Sequence, residues 1–139
     1  MSKGRLLVVE DDFDISNMLR IYFTGQGFDV SVAPRGGEAL ELTRRALPNL
    51  ILLDIMLPDI DGLEIMEWMV HKHVPTAVIV FSGDESIDSA IRALRHGAFE
   101  FVRKHGSPQE LIDTVDRLQR RRRIEREHAL MTVRLEHSE

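Results

Sequence analysis

Four polar positions stand where apolar runs stop: Glu10-Asp11-Asp12 after Leu6 to Val9, Asp54 after the run 50–53, Ser82 after 76–81, and Lys104 after 99–103. Carboxylates brought close together repel one another and raise a pKa unless a cation neutralises them. Oxygen ligands without His or Cys select a hard ion, and Mg²⁺, held by few carboxylates plus waters and a substrate phosphate, suits such a set. Magnesium points to phosphate chemistry. A hydroxyl at Ser82 and an ammonium at Lys104 could then hold phosphoryl oxygens. With Mg²⁺ in front of it and Lys104 beside it, Asp54 could attack phosphorus and become an aspartyl phosphate. The chain has no P-loop glycine motif, so the expected donor is another protein's phosphoryl group. Taken alone, Asp54 could equally start the turn through Pro58, Asp59, Asp61 and Gly62, because Asp favours turns for its local hydrogen bonding.

The elements that carry these residues separate the two readings. An unbroken apolar run bounded by turn residues, as at Leu50 to Leu53, suits a strand buried on both faces. The apolar spacing of Ile15, Met18, Leu19, Tyr22 and Phe23 predicts a helix over 14–23, with Asp12 or Asp14 as its cap. A strand over 28–33 and a helix from 36 to 47, stopped by Pro48, precede the Asp54 strand. A third helix over 63–71 is expected to bury Ile65, Met66, Met69 and Val70. Strand 76–81 follows. Ser86 then caps a helix whose apolar face is Ile87, Ala90, Ile91 and Leu94 and which ends at His96-Gly97. A short strand over 99–103 leads to a last helix from Pro108 that turns Leu111, Ile112, Val115 and Leu118 to the body.

Five strand-then-helix repeats predict an α/β fold: a five-stranded parallel sheet with helices on both faces, in the flavodoxin-like order 2-1-3-4-5. In that order the chain reverses between the first and third strands. Glu10, Asp11 and Asp54 then line one crevice at the carboxyl ends of the strands, where ligands gather in open α/β sheets.

Composition bounds the alternatives. The chain has 139 residues, 43% of them hydrophobic and 29% charged, enough for one domain with a proper core. It has no Cys, which excludes disulfides, thiolate metal sites and a cysteine nucleophile. No run approaches a membrane span, and MSKGRLLVVEDD lacks a signal peptide's cleavage pattern, so a cytoplasmic protein is expected. The net charge of −5 divides into −8 over residues 1–116 and +3 beyond them. An acidic body is a poor partner for nucleic acid, and any such role rests with the tail.

The chain resembles the receiver domain of two-component response regulators. The resemblance runs from residue 5 to about 118 and is carried by VVEDD at 8–12, DIMLPDIDG at 54–62, FSGD at 81–84 and FVRK at 101–104, in that order. It implies that Asp54 accepts the phosphoryl group from a histidine kinase or phosphotransfer protein. It also implies that Asp11 ligates Mg²⁺ directly, that Glu10 acts largely through water, and that Met56 lends its backbone carbonyl. Ser82 is implied as the hydroxyl that turns toward the phosphate, Phe101 as the aromatic that moves with it, and Lys104 as the phosphate-binding lysine. Met56 and Asp84 would flank the water that attacks the phospho-aspartate, so the only turnover expected is the chain's own phosphoryl transfer and slow dephosphorylation. The departure from the family is His105-Gly106, where a proline joined by a cis bond usually follows the lysine. A non-proline cis bond costs about 2.5–4 kcal/mol, so a trans peptide and a rearranged loop are expected, with Gly106 supplying the lost geometry.

Residues 1–118 are thus expected to form the receiver domain and 119–139 a helical extension. That extension contains no breaker, and Ile124, His128, Met131 and Leu135 follow the spacing of a short coiled-coil seam. A homodimer or a downstream output domain is the expected partner of this helix, and its end without a cap fits a piece of a longer chain. Two rivals remain. A Mg²⁺-dependent phosphatase would need a second acid two residues after Asp54, where Met56 stands. An interaction module that keeps the fold without being phosphorylated is motivated by the altered Lys104-His105 junction.

Overall fold

The computed structural model of the protein describes residues 2–105 and 107–137. It divides into two compact units, Met1–Gly106 and Ser107–Glu139. The first contains β1 (Arg5–Val9), α1 (Phe13–Gly25), β2 (Asp29–Ala33), α2 (Gly36–Arg45), β3 (Leu50–Leu53), α3 (Gly62–His71), β4 (Ala77–Ser82), α4 (Ile87–Arg95) and β5 (Glu100–Arg103). All four strand pairings are parallel, and the strand order is β2-β1-β3-β4-β5, as expected from the repeat.

The registers set the site. Val9 pairs with Leu53, and Leu53 with Val80. Glu10 and Asp54 therefore leave the sheet side by side, and the ladder runs one step further through Glu10 N–H to Ala33 O at 3.1 Å and Asp54 N–H to Val9 O at 2.9 Å. Beyond the last β4–β5 pair, Ser82 with Arg103, the Lys104 N–H donates to Ser82 O at 3.0 Å. Glu10, Asp54, Ser82 and Lys104 thus share one edge.

Side chains alternate across a strand, and here both faces are apolar because both are covered. Leu7, Val9, Ile51, Leu53, Val78 and Val80 form one core with residues of α2 and α3, including Ala39, Ile65, Met66 and Met69. Leu6, Val8, Leu50, Leu52 and Ile79 are equally buried on the other face, where α1 brings Leu19 and Phe23. Phe23 meets Phe28 edge to face at 5.8 Å between ring centroids, a geometry that aromatic pairs favour.

Helix starts follow local chemistry. Asp12, Asp61 and Ser86 cap α1, α3 and α4 by accepting from Ile15, Leu63 and Ser89 N–H. The start of α2 has no cap of its own. Instead Asp59, in the β3–α3 loop, accepts from Gly36 N–H at 2.8 Å and Gly37 N–H at 3.0 Å, one carboxylate oxygen for each.

Five expected burials fail. Val70 of α3 and Met18 of α1 are exposed, while Leu63 and Ser16 of the same helices are buried. The expected α4 face is the largest departure: Ile87 is 69% exposed and Ile91 and Leu94 are exposed, while the fully buried residue of this helix is Ala93. Periodicity establishes which residues share a side of a helix; it does not say which side the body covers. A small Ala against the sheet lets α4 lie close while its apolar side faces out.

The second unit is a single helix, α5 (Pro108–His137). Leu111, Thr114, Val115 and Leu118 are buried, and Ile112 is half-buried. Further along, Ile124, Leu130, Met131 and Val133 are exposed. Arg121 Nε donates to Glu125 at 3.1 Å, one turn on. The helix runs well beyond residue 118, as its composition predicts; of the expected seam, the Leu135 side chain lies outside the described residues.

Candidate functional site

Asp54 sits at the focus of the carboxyl edge, 4% exposed. Its Oδ1 accepts from the Ser82 hydroxyl at 2.9 Å and from Met56 N–H at 2.9 Å, and its Oδ2 accepts from Lys104 Nζ at 2.8 Å. Lys104 Nζ also lies 2.7 Å from Glu10 Oε2, and the other Glu10 oxygen accepts from Asp12 N–H at 3.2 Å. Ser82 and Glu10 are buried, whereas Asp11 is exposed at the rim.

These positions are consequences of local sequence. The apolar runs bury β1, β3 and β4 to their last residues, so the first polar side chain after each run emerges at the edge already desolvated. Burying such groups is tolerated only when they are paired, and each is paired with another member of the set. Among the described residues no buried side-chain polar atom lacks a partner.

Electrostatics reflect the crowding. Burial pushes the Glu10 carboxyl above its ordinary 4.5; the hydrogen bond from Lys104 opposes this, and the charge of Asp54 adds to it. Burial pulls the Lys104 ammonium down, but hydrogen bonds to Asp54 and Glu10, together with their charges, outweigh burial and hold it above 10.5. Lys104 is thus a fixed cation between two carboxylates.

The donor set also fits a divalent ion. Glu10, Asp11 and Asp54 each offer a carboxylate oxygen, and these lie within 4.8 Å of one another. An all-oxygen set, open on the Asp11 side, matches a hard ion that keeps several waters. Met56, 59% exposed, has its backbone N–H engaged by Asp54. Phe101 lies half-buried against the core of the α2–α3 face. The structure therefore brings Glu10, Asp11, Asp54, Ser82 and Lys104 into one cluster, with Met56 beside it and Phe101 on the neighbouring strand.

The junction after Lys104 keeps this reach. No cis peptide bond occurs among the described residues, which include Lys104 and His105, and Lys104 still meets Asp54; Gly106 lies outside the described residues. Asp84 follows the edge of β4. Its N–H donates to Ser82 Oγ at 3.2 Å, and its carboxylate accepts from Ser86 N–H at 2.8 Å and Ser89 Oγ at 2.7 Å. The Ser89 hydroxyl and then the Ser86 N–H hold Asp84 below its usual 3.8.

Three features escaped the sequence reading: the Glu10–Lys104 ion pair, the Ser89 hydroxyl on Asp84, and Asp59 as the cap of α2. The Asp84–Ser89 spacing across a capped helix start was the one local signal for any of them.

The sequence matches the family described as response regulator receiver domain over residues 6–116. The luminescence regulatory protein LuxO of Vibrio campbellii is 33% identical over 109 residues, 78% of this chain and 24% of that protein. The DNA-binding response regulator MtrA of Mycolicibacterium smegmatis is 35% identical over 113 residues, 81% of this chain and 49% of that one. The chain thus spans about a quarter to about half the length of these relatives. Among solved structures, the signal receiver domain of a LuxO repressor protein from Vibrio parahaemolyticus superposes with a TM-score of 0.81 at 29% identity, over 88% of this chain and 94% of that one. A CheY-like response regulator receiver domain from Methanospirillum hungatei gives 0.80 at 30% identity, over 87% and 97%.

Proposed function

Because the chain belongs to the response regulator receiver domain family, we propose that it is a phosphorylation-dependent switch that accepts a phosphoryl group on Asp54 from a histidine kinase or phosphotransfer protein. The observation that carries this reading is one buried carboxylate that receives a hydroxyl, an ammonium and a backbone N–H, with two more carboxylates within reach of a shared ion.

Glu10, Asp11, Asp54 and the Met56 carbonyl would hold Mg²⁺, with Glu10 acting largely through water. Bound there, the ion would neutralise charge on the entering phosphoryl group. An Asp54 oxygen forms the new O–P bond as the donor's N–P bond breaks, and the imidazole nitrogen keeps the electron pair. Lys104 shifts from the carboxylate to the phosphoryl oxygens, where its fixed positive charge is worth most. Ser82 turns to the same oxygens and Phe101 moves with it, so one new dianion biases a two-state element.

The change is passed on through the β4–β5 face and the C-terminal helix, whose extension over 119–139 engages a second copy of the chain or a downstream output domain. MtrA is described as DNA-binding; for this chain, with its acidic body, nucleic acid is not proposed as a partner. A cytoplasmic location belongs to the same proposal. No helix among the described residues is long and apolar enough to cross a membrane. The rival, an unphosphorylated interaction module, is motivated by the Lys104-His105 junction; Lys104 standing 2.8 Å from Asp54 supports the switch over it.

The test is to incubate the chain with Mg²⁺ and a small acyl phosphate and weigh it intact, beside Asp54→Asn. Gain of one phosphoryl mass, absent from the variant, is expected. No gain in either chain would leave the interaction module as the better reading.

A further inference from the structure

We infer that Asp84 and Ser89 are positioning residues that tie the orientation of the Ser82 hydroxyl to the first turns of α4, an inference that rests on the phosphoryl-acceptor reading of Asp54. The Ser82 hydroxyl has one proton, and it is spent on Asp54 Oδ1 at 2.9 Å. Its oxygen in turn accepts from Asp84 N–H at 3.2 Å. Both oxygens of Asp84 are committed to the start of α4: Oδ1 to Ser86 N–H at 2.8 Å and Oδ2 to Ser89 Oγ at 2.7 Å. Ser86 caps the helix by accepting from Ser89 N–H at 3.3 Å. An unbroken chain of hydrogen bonds therefore runs from the acceptor carboxylate, through Ser82 and Asp84, into α4.

Two further observations make this chain able to move something. A Cβ at Gly83 would meet nothing within 4 Å, so the backbone between Ser82 and Asp84 has open space beside it. The first half of α4 has little packing to hold it, since Ile87 and Ile91 are exposed and the buried anchor, Ala93, lies near its far end. An element with few buried apolar contacts is held by its polar links. When Asp54 carries a phosphoryl group, the strongest acceptor near Ser82 becomes a phosphoryl oxygen. The hydroxyl then turns toward it, and Asp84 N–H loses its acceptor unless the loop follows. Because the Asp84 carboxylate is fastened to Ser86 and Ser89, the loop carries the first turns of α4 with it.

The experiment is hydrogen exchange on the full chain with Mg²⁺, with and without the acyl phosphate, in the wild type, Ser89→Ala and Ser89→Thr. All three are expected to take the label on Asp54. In the wild type, exchange over 85–92 changes on labelling. In Ser89→Ala that change is lost or at least halved, and in Ser89→Thr, which keeps a hydroxyl, it returns. A variant that merely loosens α4 raises exchange in both states and leaves the labelling-dependent difference intact. A full difference in Ser89→Ala, or a labelled wild type with none, overturns the inference while sparing the acceptor reading. A wild type that takes no label defeats both.

Discussion

At the amino ends of the strands, polar side chains tie up the backbone: Asn49 Oδ1 accepts from Arg5 N–H at 2.8 Å, and the Thr76 hydroxyl donates to Pro48 O at 2.7 Å. At the carboxyl ends they are aimed at one another, with Lys104 between Glu10 and Asp54 and Ser82 on Asp54. The first arrangement involves neutral groups, and each hydrogen bond of that kind contributes about 0.5–1.5 kcal/mol. The second concentrates charge in a desolvated place, which is costly, and for which packing alone offers no reason. One sheet thus keeps neutral polar groups at one edge and a charged cluster at the other.

Gly62→Ala should break the carboxyl end most severely. A Cβ there would lie 2.4 Å from Ile55 Cα and 2.9 Å from the Asp54 carbonyl oxygen, both backbone atoms. Overpacking of this kind costs about 1–3 kcal/mol, and a rigid neighbour places it at the upper end. Denaturant unfolding is expected to show that loss, together with slower labelling of Asp54 because the same backbone carries it.

Asn49→Ala sharpens the comparison from the other edge. Loss of the bond to Arg5 should lower stability by about 1 kcal/mol and leave the labelling rate unchanged. A substantial fall in labelling would mean that the two edges are not separate in purpose.

Asp59→Asn should give the smallest effect, and its sign is fixed by pH. Gly37 N–H and then Gly36 N–H hold the Asp59 carboxyl below 3.8, so its contribution is present above 3.8 and is lost as pH falls through the folded value. The melting temperature of the variant should therefore lie below that of the wild type at neutral pH, with the gap closing in acid.

Most of the carboxyl edge was legible in the sequence because an apolar run that stops at a carboxylate marks a strand end, and strand-helix alternation dictates which strand ends meet. Glu10, Asp54, Ser82 and Lys104 could be placed in this way. What stayed hidden depends on packing between elements. Asp59 caps a helix that starts 23 residues before it in the chain, and no local rule links those positions. Ile87, Ile91 and Leu94 share a helical side as expected, but their exposure follows from how Ala93 seats α4 on the body. The pairing of Lys104 with Glu10 arises because two strand ends converge on one carboxylate, a distance that the sequence does not encode locally.

Fragmenting the acyl-phosphate-labelled chain, with labelling followed as Mg²⁺ is titrated in the wild type and in Asp11→Asn, tests the central claim most directly. The label is expected on Asp54, rising to saturation with Mg²⁺ in the wild type and requiring far more of the ion in the variant. A label on another residue, or labelling of Asp54 indifferent to Mg²⁺ in both chains, would contradict the account.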